Sequence, residues 1–158
     1  MSTDYIVASL PALAFDAPAP IAWERFAALA PDADRLVAKS GWGDLETQLR
    51  NAVAEARGGA KYARPADGCS VYWKNRILAC FQEKDVAKRQ DLLDRVWWDA
   101  AGELTPPASP LGPGALATYA VRLRVALRRS AVSTEKGNAA FDRLTSGTKL
   151  EFAKDHQG

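Results

Sequence analysis

The side chains able to do chemistry are few and scattered. His156 is the only histidine among the 158 residues and lies in a polar terminus. A histidine-based triad, a general base of ordinary pKa or a zinc site would each have to be assembled around that tail. Cys69 and Cys80 lack CxxC spacing and have no histidine near them, so they read as small buried hydrophobes. If both sit on a single helix, their eleven-position separation puts them about 16 Å apart, too far for a disulfide. A reducing compartment follows as the simplest expectation. Gly112–Gly114 reads GPG, without the lysine and glycine pattern of a phosphate loop, and Pro113 removes a backbone donor. Asp91 and Asp94 stand on adjacent turns and can hold a metal ion or a proton, but carboxylates flanked by Arg95 are more often salt-bridged. No catalytic, cofactor or metal site is expected, and the chain is expected not to be an enzyme.

Two features point instead to contact with other polypeptides. Arg122, Arg124, Arg128 and Arg129 crowd four cations into two turns of a helix, where they repel one another unless acid approaches. That acid can come from elsewhere in this chain or from an acidic partner. Residues 1–111 carry 13 basic and 15 acidic side chains, and residues 112–158 carry 8 and 4, so the net charge of +2 belongs to the C-terminal part. Nucleic acid is not expected, because no aromatic is interleaved with the arginines in a stacking pattern. Trp97 and Trp98 point about 100° apart on a helix, so both cannot occupy one narrow core stripe. The exposed edge near Trp98 is the second contact candidate.

The elements that must position these residues are helical. Hydrophobic content of 47% and charged content of 25% are globular values, and Leu, Ala, Arg and Glu dominate the regular stretches. The clearest signal is Pro110–Arg129, where Leu116, Tyr119, Ala120, Leu123 and Leu127 share one face and the arginines take the rest. The same spacing predicts short helices over residues 21–30 and 32–40, stopped by Pro31 and Gly41, and a longer one over 42–57. A basic loop from residue 60 to 69 leads to helices over 70–81 and 86–104, read as an antiparallel pair with a break at residues 82–85. A further helix capped by Thr134 runs to Leu144, followed by a break at Thr145–Thr148. The expected fold is therefore all-α. It is a single domain, residues 1–158, of about six to eight helices, with an extended Pro-rich N-terminal strap over 1–20, an ordered Pro/Gly loop over 105–114 and a frayed tail over 153–158. No stretch has the basic and apolar regions of a signal peptide or the length of a membrane span, and a cytoplasmic location is expected.

Three motifs resemble a known family. Tyr5–Leu13 reads Y-x-V-A-S-L-P-x-L, Pro110–Leu123 reads P-L-G-x-G-A-L-x-x-Y-A-x-x-L, and Glu135–Phe141 reads E-K-G-x-x-x-F. Together they cover the two ends of the chain, about half of it, and resemble short bacterial proteins encoded with the components of V/A-type ATPases. Those proteins are similar in role to the stalk-seating component of the rotary machine, lettered C in bacterial enzymes and d in eukaryotic ones. It is an all-helical funnel that seats the central stalk on the membrane rotor ring. The resemblance singles out Tyr5, Ser9, Leu10, Pro11, Tyr119, Leu123, Glu135 and Phe141. It implies a non-enzymatic coupling or assembly subunit, touching stalk and rotor ring and peripheral to the membrane through the complex. The funnel component is about twice as long, which leaves a single domain, a shortened coupler or an assembly factor. The alternative is a free-standing helical adaptor for an unrelated acidic protein.

Overall fold

The computed structural model describes the backbone of residues 2–157, and the side chains of all of these except residue 60 and residues 138–157. Among the described residues there are seven α-helices and no strand. They are α1 (Thr3–Ser9), α2 (Trp23–Leu29), α3 (Ala33–Lys39), α4 (Trp42–Ala56), α5 (Val71–Cys80), α6 (Val86–Ala101) and α7 (Pro113–Gln157), with 3₁₀ turns at Ala60–Tyr62 and Gly102–Leu104. The all-α class and the helix number agree with the sequence reading.

Local chemistry sets most boundaries. Ser2 caps α1 by accepting from the Tyr5 amide, Ser70 caps α5 by accepting from Trp73, and Asp85 caps α6 by accepting from Lys88. The Asp85 cap makes the break between α5 and α6 a true turn without help from glycine or proline. Gly41 has φ +86° and forms the corner between α3 and α4, a conformation that side-chain-bearing residues resist. Pro113 is the first residue of α7, where its missing donor costs nothing. A Cβ on Gly114 would overlap the Leu104 carbonyl oxygen, so this glycine lets the first turn of α7 press against the 3₁₀ turn that ends α6. The GPG stretch is therefore a helix start as well as a loop.

Two expectations about the ends change. Residues 1–20 are not one extended strap, because Thr3–Ser9 is helical. Ile6, Val7 and Leu10 pack this turn of helix on α7, and that contact decides a segment whose propensities are mixed. Only the part from Leu10 to Ala22 is non-helical, and it is tied to α7 at two points: Tyr119 Oη donates to the Pro11 carbonyl oxygen at 2.7 Å, and the Ala19 amide donates to Ser130 Oγ at 3.0 Å. At the other end, α7 is one helix of 45 residues, in place of a separate helix from Thr134 and a break at Thr145–Thr148. Serine and threonine favour caps but do not forbid a helix interior, and the sequence from 114 onward holds no proline to stop it. Gly158 lies outside the described residues.

Among the described residues the core has three apolar clusters, and α7 contributes to all of them. Ala117 and Val121 join α4, α5 and α6 around Leu49, Ile77 and Val96. Leu116, Ala120 and Leu123 join α2 and α3 around Phe26. Val125 and Ala126 meet Trp98, with Phe15 of the connector packed against them. Each of the large side chains among these contributes about 1.5–3 kcal/mol on burial, so α7 is the element whose loss would open every cluster. The buried Thr118 hydroxyl donates to the Ala101 carbonyl oxygen at 2.9 Å and bonds Thr105 at 2.6 Å, fixing the end of α6 against α7 without an unsatisfied polar atom.

Candidate functional site

On α7 the four arginines project to different sides, and each finds a partner within the chain. Arg124 reaches Asp34 on α3 at 2.8 Å and lies over the Trp23 ring, 4.3 Å from its centroid. Arg128 bonds Asp94 on α6 at 2.5 Å. Arg129 bonds Asp91 at 3.0 Å and Asp94 at 3.3 Å while stacking 3.9 Å above the Phe15 ring. Arg122 Nε donates to the Trp98 carbonyl oxygen at 3.0 Å, and its guanidinium lies over the Trp98 ring. Burial holds this guanidinium below the usual arginine value, with the Asp99 charge working the other way; an arginine so placed remains a cation. Arg124, Arg128 and Arg129 thus meet acid within the chain, while Arg122 meets a backbone carbonyl and an indole ring.

Asp94 is the hub of this arrangement. It is 4% exposed and accepts from Gln90, Arg128 and Arg129, so one buried carboxylate is shared by two arginines. A buried carboxylate has to be compensated in this way. Asp91 and Asp94 are thus salt-bridged, and among the described residues no group of three or more metal-ligating side chains gathers.

Trp98 is not an exposed edge. It is 6% exposed, edge-on to Phe15 with centroids 5.7 Å apart. The more accessible of the pair is Trp97, half-buried, with Nε1 donating to Glu46 at 3.2 Å. The reason is that α6 is covered on two sides: Leu93, Val96 and Ala100 face α4 and α5, while Asp94 and Trp98 face α7 and the connector. The cysteines do not share a helix, since Cys69 is exposed in the loop before α5 and Cys80 is buried within it, and both are free thiols. Burial pushes the Cys80 thiol up, which suits an inert core position. The side chains of His156 and Phe141 lie outside the described residues.

A second constellation escaped the sequence reading. Asp44, Gln48 and Asn51 stand at i, i+4 and i+7 on α4 and hold the loop before α5 by its backbone. Asp44 accepts from the Asp67 and Gly68 amides at 2.5 and 3.2 Å, and Gln48 accepts from Ser70 at 2.8 Å. Asn51 both donates to the Arg64 carbonyl oxygen and accepts from its amide, at 2.7 and 2.8 Å. The Asp67 amide, then Gln48, then the Gly68 amide draw the Asp44 carboxyl below its ordinary value, with desolvation opposing them. The available signal was the polar spacing itself on the side of α4 away from Leu45, Leu49 and Ala52.

Two clefts open beside these groups. One, of about 620 Å³, lies between the first turns of α6 and the middle of α7 and is lined by Gln90, Asp91, Asp94, Arg128 and Val132. The other, of about 380 Å³, lies between α4 and the turn at Ala60–Tyr62 and is lined by Glu46, Arg50, Asn51, Tyr62 and Arg64. From Ala131 to Gly137 every residue of α7 is exposed, and Val132, Ser133 and Lys136 still line the cleft beside the first turns of α6. Among the described residues no helix is long and apolar enough to cross a membrane. The fold and these surfaces define a helical bundle organised on one long helix. Comparison with protein-family models, with curated proteins and with solved structures finds no match for this chain.

Proposed function

We propose that the chain is a non-enzymatic coupling or assembly subunit of a V/A-type ATPase, similar in role to the funnel that seats the stalk on the rotor ring, acting in the cytoplasm at the periphery of the membrane complex. The observation that carries the reading is a contact between the two stretches on which the family resemblance rests. Tyr119 bonds the Pro11 carbonyl oxygen across 108 positions of sequence, and Leu10 packs in the cluster that contains Leu123. The motifs at opposite ends of the chain thus belong to one physical joint, as expected if they describe a single folded unit.

The mechanical part of the proposal rests on α7. Beyond Ser130, whose Oγ accepts from the Ala19 amide of the connector, α7 continues to Gln157, about 40 Å of helix. A helix of that length suits docking along a stalk or onto a ring. The α7 arginines serve this role indirectly, by fixing the helix in the bundle, and the exposed turns from Ala131 to Gly137 offer the contact surface.

Copurification tests the reading. Tagged full-length chain, recovered from detergent-solubilised membranes of the native host, is expected to bring down stalk and rotor-ring subunits identified by mass spectrometry. Recovery of the tagged chain with no ATPase subunit ends the proposal.

A further inference from the structure

The α7 arginines are internally partnered, and cations without an ion pair among the described residues lie elsewhere. Arg57, Lys61 and Arg64 make no ion pair among the described residues. All three fall within one short stretch after α4. Arg64 lines the 380 Å³ cleft together with Arg50, whose side chain is 70% exposed despite its 3.5 Å pair with Glu46. Between them stands Tyr62, 72% exposed, with Lys61 Nζ 5.1 Å from its ring centroid. Arg50, Arg64 and the Lys61–Tyr62 pair together offer an aromatic ring and positive charge, which suits a ligand bearing carboxylates.

We propose that this cleft between α4 and the Ala60–Tyr62 turn docks an acidic peptide segment of a partner protein. Carboxylates of the segment pair with Arg50, Lys61 and Arg64, and its backbone or an apolar side chain lies on the Tyr62 ring. The surface is preorganised, because Asn51 clamps the Arg64 backbone at both its amide and its carbonyl; less ordering is left for binding to supply. A peptide fits better than nucleic acid on two grounds. The cleft presents one aromatic where a strand needs a series, and Glu46 sits in its wall. Glu46 is already occupied by Arg50 and Trp97, which spaced carboxylates tolerate and a continuous phosphate backbone does not. This inference stands apart from the ATPase reading, since its test contains no ATPase component and either can fail alone.

The test is fluorescence anisotropy of a fluorescein-labelled peptide of alternating Glu and Ala, titrated with the full-length chain at low salt. Saturable binding is expected, falling roughly tenfold or more in Lys61→Glu/Arg64→Glu and weakening as salt rises. Tyr62→Ala is expected to lose several-fold, and Arg25→Glu, an exposed cation on α2, to bind like the parent. Circular dichroism establishes that each variant is folded, with Lys61→Ser/Arg64→Ser as a milder replacement for the charge reversal. Absence of saturation, parent-like binding by both double variants, or tighter binding of a single-stranded oligonucleotide of equal charge would overturn the proposal.

Discussion

Asp94 shows how a single side chain decides what the arginines of α7 are for. Buried and shared between Arg128 and Arg129, it converts two mutually repelling cations into a clasp between α6 and α7. Removing one partner of a fully buried ion pair costs about 3–5 kcal/mol. Here the arginines keep access to water, with side chains 55% and 23% exposed, so Asp94→Ala should cost about 2 kcal/mol. In a chain of this size that lowers the thermal midpoint by about 4–8 °C. A variant melting within roughly a degree of the parent would show that the clasp contributes little. The sequence displayed both halves of it but not the pairing. Asp94 and Arg128 are 34 positions apart, and Arg124 and Asp34 are 90 apart, while charge spacing reports only on neighbours within one helix. Trp98 departs from expectation for a related reason: its side of α6 is covered by α7 and by Phe15, both distant in sequence.

At the scale of elements, α4 has two working faces. Leu45, Leu49 and Ala52 bury against the core, and Asp44, Gln48 and Asn51 hold the loop before α5. The first face was plain in the sequence, as were the stripes of α5 and α6, because packing and helical period agree there. The second was not, since its partners are backbone groups that carry no sequence signature. Asp44 gives this latch a pH dependence. Its carboxyl titrates lower in the folded chain than in the unfolded one, so its contribution to stability is complete above about pH 4 and is lost as pH falls through the folded value. Thermal melts from pH 6 down to pH 3 should therefore fall more steeply for the parent than for Asp44→Asn, which has no carboxylate to protonate. Parallel curves would place the acid sensitivity elsewhere. Short α1 was illegible for a different reason, because seven residues carry too little propensity to decide between helix and strand, and its contact with α7 settles the matter.

For the whole molecule, α7 has a gripped part, through Ser130, followed by exposed turns from Ala131 to Gly137. Since the turns from Ala131 to Gly137 are exposed, Thr134→Ala and Lys136→Ala are each expected to leave the melting temperature within about 2 °C of the parent, as exposed positions contribute little. A drop of roughly 10 °C or more would mean that these turns support the bundle. The continuity of this helix was the largest feature the sequence concealed: Ser133 and Thr134 are good cap residues, and only the absence of proline hinted that the helix runs on. A rod clamped at one end is a cantilever, and a sideways load on its tip produces the greatest bending moment at the clamp. In this chain that fulcrum is the turn carrying Arg128 and Arg129, tied to α6 through Asp94 and to the connector through Phe15. A load on α7 beyond this turn would reach α6 and the N-terminal connector together, and Asp94→Ala would remove the tie to α6.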